Sequence, residues 1–262
     1  AILAIFAVLF AGPGFAAERT VVVLLFDGFS PAMADATRVP HLDEIKQEGA
    51  WSRHLVPAFP TVSMINHTTF ATGCWPEHHG IMSNIFYDPI LGRFDQKSKP
   101  MAADADWHTG CESMWEAAER QGVRAAVFNW AGRWSTKRVK LASYANPLVP
   151  YKDEPTDDQV AIDAIKLLHD NSPNHPRLIA LYMQGPDEVA HYHGVTAPET
   201  LAAVRHADAI VGRLMAAIRA LPSGREGTLI IGTDHGMIDV GPLVNMGRLM
   251  NMYDINAKQA CD

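Results

Sequence analysis

The sequence predicts an α/β protein in which a mostly parallel sheet is flanked by helices, and three observations carry that expectation. Three segments are continuous apolar, β-branched runs, the pattern of strands buried on both faces. Amphipathic helical patterns lie between them. Each run also reaches an Asp at or soon after its carboxyl end, on the edge where open parallel sheets bind ligands. In chain order, the first run is Thr20-Val21-Val22-Val23-Leu24-Leu25-Phe26, which ends in Asp27-Gly28, and a helix is expected over 42–48. Pro60 forces an extended approach to a second helix, which Gly73 closes. Residues 84–108 and 131–156 read as loops or small insertions, and a helix over 112–121 and a shorter strand over 124–130 lie between them. A helix over 157–170 leads to the second run, 177–183. The stretch 198–220 spaces Leu201, Val204, Ala207, Val211, Leu214 and Ile218 three to four residues apart, one apolar face of a long helix. The last run, 228–233, enters Asp234.

The 262 residues suffice for one large domain or two small ones with a buried core. Apolar residues at 48% and charged residues at 19% exclude a disordered, collagen-like or coiled-coil chain. A net charge of −7 without any run of Lys or Arg argues against binding of nucleic-acid duplexes. Chemistry on phosphate would therefore draw its positive charge from metal ions. Residues 1–12 are apolar and uncharged, followed by Pro13-Gly14-Phe15-Ala16-Ala17. That stretch falls short of the roughly 20 residues a transmembrane helix needs, and it fits the apolar core and cleavage region of a secretory signal peptide. The expected organisation is a partial signal peptide at 1–16 and one folded domain at 17–262, in a secreted or periplasmic protein. Cys74, Cys111 and Cys261 allow one disulfide with one thiol left over.

Two strand-end Asp residues have a His at metal-compatible spacing. Asp187 and His191 stand four apart, on one face of a helical turn, and Asp234 is followed directly by His235. Mixed carboxylate and imidazole ligation suits zinc, or less tightly manganese and iron. Thr61 is expected at or just before the start of the helix that Gly73 closes, where unpaired N–H groups and the helix dipole favour a phosphate or an alkoxide. Read from this segment alone, Thr61 is either a nucleophile or a simple cap, and Ser63 could also serve as the cap.

These residues sit in a recognisable succession: Phe26-Asp27-Gly28-Phe29, Val39-Pro40-His41-Leu42-Asp43, Glu48-Gly49-Ala50, Phe59-Pro60-Thr61, Asn66-His67, then Thr72-Gly73-Cys74-Trp75-Pro76-Glu77-His78-His79-Gly80-Ile81 and Tyr87-Asp88-Pro89. Farther on come Leu181 to Asp187 with His191, and Thr233-Asp234-His235-Gly236-Met237. Over roughly residues 20–240 the chain resembles the nucleotide pyrophosphatase/phosphodiesterase family of the alkaline phosphatase superfamily. The resemblance implies an alkaline-phosphatase-like catalytic domain with two zinc ions. Asp27, Asp234, His235 and the Thr61 oxygen would hold one, and Asp187 and His191 the other. Thr61 would be the nucleophile that carries a covalent intermediate, Asn66 the donor to a non-bridging phosphate oxygen, and Tyr182 an aromatic beside a nucleobase. The substrate would be a small phosphodiester or nucleotide, with Phe86 and Phe94 as further candidates for its pocket.

One departure from the family pattern stands out. The second zinc of the family has a third protein ligand, a His far downstream, and no His follows His235 here. The expectation is that the domain is incomplete at its C-terminus and binds the Asp187/His191 ion poorly, unless His193 or His206 substitutes. A related phosphomonoesterase or phosphonate hydrolase would use the same ligands, and an inactive fragment acting as a binding module is the alternative from another class.

Overall fold

A computed structural model describes residues 18–97, 105–108, 110–133, 142–147, 153–241 and 244–253. The expected signal peptide and Cys261 lie outside the described residues. The strands are β1 (Glu18–Phe26), β2 (Ile85–Asp88), β3 (Gly92–Asp95), β4 (Ala125–Phe128), β5 (Tyr144–Ala145), β6 (Leu178–Met183) and β7 (Arg225–Thr233). The α-helices are α1 (Pro31–Asp35), α2 (Pro40–Glu48), α3 (Ser63–Thr72), α4 (Pro76–His79), α5 (Met114–Arg120), α6 (Asp157–Leu168), α7 (Asp187–His193), α8 (Pro198–Arg219) and α9 (Met246–Asn251).

Five strands form a parallel sheet in the order β5-β4-β6-β1-β7. Side-chain alternation along β1 sorts the core into two layers. Val22, Leu24 and Phe26 pack with Val160, Ala164 and Leu168 of α6 and with Ile210, Val211 and Leu214 of α8. Val23 and Leu25 face the other way, onto Phe70 and Ala71 of α3 and Trp115 of α5. The sheet is thus covered on both faces, as the apolar runs predict. β7 departs from that pattern. It is an edge strand among the described residues, opposite β5, and Ile230 is 44% exposed. The expected loop at 84–108 contains the antiparallel hairpin β2-β3, whose Phe86 and Phe94 pack against Trp107. Phe94 is fully buried there, which makes it core rather than pocket wall.

Local caps set several helix starts. Ser113 and Glu116 form a reciprocal capping box on α5, and Thr156 caps α6. α2 has no cap of its own. Asp208 of α8 instead accepts the N–H groups of His41 and Leu42 at 3.3 and 2.8 Å and meets His41 Nδ1 at 2.8 Å. The His41 ring also lies where a Cβ on Gly212 would come within 2.4 Å, so this helix pair needs glycine there.

Cys74, just past α3, is joined by a disulfide to Cys111, ahead of α5. Nearby His79 is buried, accepts the Ile81 N–H at Nδ1 and meets Thr69 Oγ1 at 3.0 Å through Nε2. Both nitrogens are in use on a neutral ring. Burial, with the His108 charge second, pushes its pKa down to about 4. The unfolded chain takes this proton near 6.5, so between those values the unfolded state binds more protons. The His79 contribution to stability is expected to be flat above that window and to fall as pH drops through it. Urea midpoints across the window should decline less in His79→Asn than in the wild type.

Candidate active site

The strand register assembles the site. Phe26 pairs with both Met183 and Thr233, so the carboxyl ends of β6, β1 and β7 lie level. Asp27 N–H bonds the Met183 carbonyl at 2.9 Å, and Asp234 N–H faces the Phe26 carbonyl at 3.4 Å. Asp187 opens α7 after a turn whose Gln184 and Gly185 N–H groups are both held at 3.0 Å by Asp157. Gly28 has φ +62°, and a Cβ there would stand 2.5 Å from Asp187 Oδ1. Glycine is required both by that backbone conformation and by the approach of Asp187.

Two groups of side chains offer ligand atoms within 4.8 Å of one another: Asp27, Asp187 and His235, and Asp27, His67 and Asp234. Asp27 belongs to both. Asp27 Oδ1 and Asp187 Oδ1 are buried without a hydrogen bond, which is costly for a carboxylate unless a cation takes it up. His235 Nδ1 lies 3.1 Å from the Gly236 carbonyl, an arrangement that keeps the proton on Nδ1 and turns the lone pair of Nε2 inward. That Nε2 stands 3.1 Å from Asp27 Oδ1, 3.6 Å from Asp234 Oδ2 and 3.2 Å from Ser63 Oγ. These donors fit a divalent cation. Burial, reinforced by the Asp27 charge, raises Asp187 to about 6. Burial works against a charge on His235, but Asp27 and Asp234 outweigh it and lift its pKa to about 9. Asp234 is held low despite its burial, chiefly by His67 and His235.

Several sequence expectations change here. Thr61 does lie just ahead of the helix, but it is exposed and two residues before α3. The hydroxyl that reaches the ligand cluster is that of Ser63, the first residue of α3. Asn66 is buried at the turn that enters α3. Its Oδ1 accepts the Ala58 N–H at 2.7 Å, and its Nδ2 donates to the Ala58 and Val62 carbonyls at 3.3 and 3.2 Å. Asn66 therefore shapes the turn that enters α3. Asn84 does reach the helix start, where its Oδ1 accepts the Met64 N–H at 2.9 Å. Its Nδ2 has no hydrogen-bond partner among the described residues. Tyr182 is buried, and its hydroxyl donates to Asp27 Oδ2.

Asp187 and His191 share one helical face, with Oδ2 and Nε2 3.3 Å apart, and the His191 side chain is 66% exposed. His206 pairs with Asp158 at 3.0 Å, and neither it nor His193 joins either ligand group. His67, by contrast, carried no sequence-level role and is central here. Its one legible signal is helical: it lies one turn after Ser63.

Comparison with known proteins agrees with this architecture. An uncharacterized pyrophosphatase/phosphodiesterase of Schizosaccharomyces pombe is 28% identical over 244 residues, which cover 92% of this chain and 49% of that protein. Human ectonucleotide pyrophosphatase/phosphodiesterase family member 1 is 29% identical over 205 residues, 76% of this chain and 21% of that one. The chain thus spans half or less of the length of these relatives. Among solved structures, murine ectonucleotide pyrophosphatase/phosphodiesterase 5 superposes with a TM-score of 0.76 at 25% identity, covering 85% of this chain and 58% of its own. Its alkaline-phosphatase-like fold has the same mostly parallel sheet flanked by helices. The profile of type I phosphodiesterases and nucleotide pyrophosphatases matches residues 21–260, nearly the whole chain. This chain belongs to the type I phosphodiesterase/nucleotide pyrophosphatase family.

Proposed function

We propose that this chain carries the nucleophile and most metal ligands of a zinc-dependent phosphodiesterase acting on small phosphodiesters or nucleotide pyrophosphates, with Ser63 as the nucleophile. The observation that carries this reading is the position of Ser63 Oγ. It stands at the N-terminus of α3, 3.2 Å from His235 Nε2 and beside the carboxylate cluster. Asp27, Asp234 and His235 would hold one zinc, and Asp187 and His191 would contribute to a second. Bound there, the cations supply charge neutralisation for the phosphate and lower the pKa of the hydroxyl.

The Ser63 hydroxyl would give up its proton to solvent and Oγ would form a bond to phosphorus, while the bond to the leaving oxygen breaks and that oxygen takes a proton from solvent. Water then cleaves the Ser63 ester, restoring the hydroxyl and releasing the phosphate monoester. Charge on the non-bridging oxygens would be met by the positive end of the α3 dipole and by Asn84 Nδ2. Among the described residues no Lys or Arg pairs with Asp27, Asp187 or Asp234. A singly charged diester suits such a site better than a doubly charged monoester, which calls for further cationic groups.

Secretion or periplasmic export fits the Cys74–Cys111 disulfide, since such bridges persist in oxidising compartments. Among the described residues no helix is long and apolar enough to cross a membrane.

The test is hydrolysis of p-nitrophenyl thymidine 5′-monophosphate, with and without zinc, beside p-nitrophenyl phosphate. Zinc-dependent cleavage of the diester in preference to the monoester is expected. The reverse preference would make the protein a monoesterase.

A further inference from the structure

Two buried side chains with polar tips lie directly beneath the carboxylates of the site. Tyr182 donates its hydroxyl to Asp27 Oδ2. His67 Nε2 stands 3.1 Å from Asp234 Oδ2. The two rings pack on each other with centroids 4.3 Å apart. Trp130 completes the stack, its indole N–H bonding the His67 carbonyl at 3.1 Å and its ring meeting the His67 ring edge-on. All three are buried, with Tyr182 8%, His67 3% and Trp130 0% exposed.

The consequence concerns which oxygens remain for a cation. With Tyr182 on Oδ2, Asp27 keeps Oδ1, the oxygen that is buried without a hydrogen bond and lies 3.1 Å from His235 Nε2. Asp234 Oδ1 is taken by the Gly28 and His235 N–H groups at 3.1 and 2.8 Å. Only Oδ2 of Asp234 remains, and His67 fixes its direction. A carboxylate on a short side chain can rotate about its last bond, and each lost orientation would cost affinity for an ion that needs two such groups at once.

We infer that Tyr182 and His67 act as a coupled pair of positioning residues that set metal affinity by locking the rotation of Asp27 and Asp234, with no contact to substrate. The inference rests on the metal-binding reading of the site. It goes beyond it by assigning the hydroxyl of Tyr182 and one ring nitrogen of His67 to ligand orientation. The polar tips of Tyr182 and His67 are thereby each spent on one carboxylate, and that of Trp130 on the His67 carbonyl.

The experiment is zinc affinity of the full protein, measured by competition with a chromogenic chelator. Tyr182→Phe removes one hydroxyl and keeps the ring, and it is expected to weaken zinc binding about 10- to 100-fold. His67→Leu should do the same, while His67→Gln, which retains an N–H donor, should recover most of the affinity. Leu25→Ala, in the same core layer, serves as the stability control and should lower the melting temperature with zinc affinity unchanged. Saturating zinc should restore Tyr182→Phe activity equally on p-nitrophenyl thymidine 5′-monophosphate and on bis-p-nitrophenyl phosphate. Wild-type zinc affinity in Tyr182→Phe, or a loss confined to the thymidine substrate, overturns the inference. Loss of affinity in Leu25→Ala as large as in Tyr182→Phe overturns it as well. Absence of zinc binding in the wild type would instead refute the metal reading on which it stands.

Discussion

Ser63→Ala is expected to lower phosphodiesterase turnover by about 10³-fold or more, because it removes the oxygen proposed to form the bond to phosphorus. Zinc content, measured by elemental analysis, should stay close to wild type, since Asp27, Asp234 and His235 are untouched. Thr61→Ala should leave turnover unchanged, for that side chain is exposed and lies outside the cluster. Ser63→Thr keeps a hydroxyl at the same helix start and is expected to retain activity. The pair of alanine variants decides the nucleophile. If Thr61→Ala loses turnover and Ser63→Ala keeps it, the attacking hydroxyl is that of Thr61, and the 3.2 Å contact between Ser63 and His235 is only structural.

Zinc should also stabilise the fold strongly. Two carboxylate oxygens, Asp27 Oδ1 and Asp187 Oδ1, are buried without a hydrogen bond. A cation bound only by the native arrangement adds about 4 kcal/mol at a free concentration 1,000 times its Kd. For a protein of this size that corresponds to a melting shift of about 8–16 °C. Calorimetry with chelator and then with zinc should show a rise of this order, and Asp27→Ala should erase it, because Asp27 belongs to both ligand groups. A melting temperature indifferent to zinc would mean that these residues hold no such cation.

The elements that local chemistry specifies were legible in the sequence. The run 177–183 contains the strand β6, Gly73 ends α3 in the left-handed conformation its backbone allows, and the two-faced pattern at 198–220 contains α8. The hairpin at 85–95 was not, because its four-residue strands carry no clean alternation and rest on Trp107 rather than on the main sheet. Helix α2 was legible only in part. Its start depends on Asp208, a cap supplied from more than 160 residues away. For the site, Asp27, Asp187 and Asp234 announced themselves by following apolar runs, and Asp187 and His191 by their helical spacing.

The choice between Thr61 and Ser63 could not be made the same way. Helix starts are uncertain by one or two residues in any pattern, and here two residues separate an exposed hydroxyl from one beside His235. Tyr182 and Asn66 show the same limit. Their hydrogen bonds, to Asp27 in one case and to Ala58 in the other, follow from the fold and are not written in the local sequence.

By itself, then, the sequence determined the strand cores, the long helices and the inventory of carboxylates and imidazoles at one edge of the sheet, since these follow from runs, periods and caps a few residues long. Only the tertiary structure decided which hydroxyl faces the ligands, which carboxylate oxygens are left for a cation and which aromatic lies beneath them. Those outcomes depend on contacts of about 3 Å between segments far apart in the chain, and hydrogen bonds lose their strength within a few tenths of an ångström of that distance.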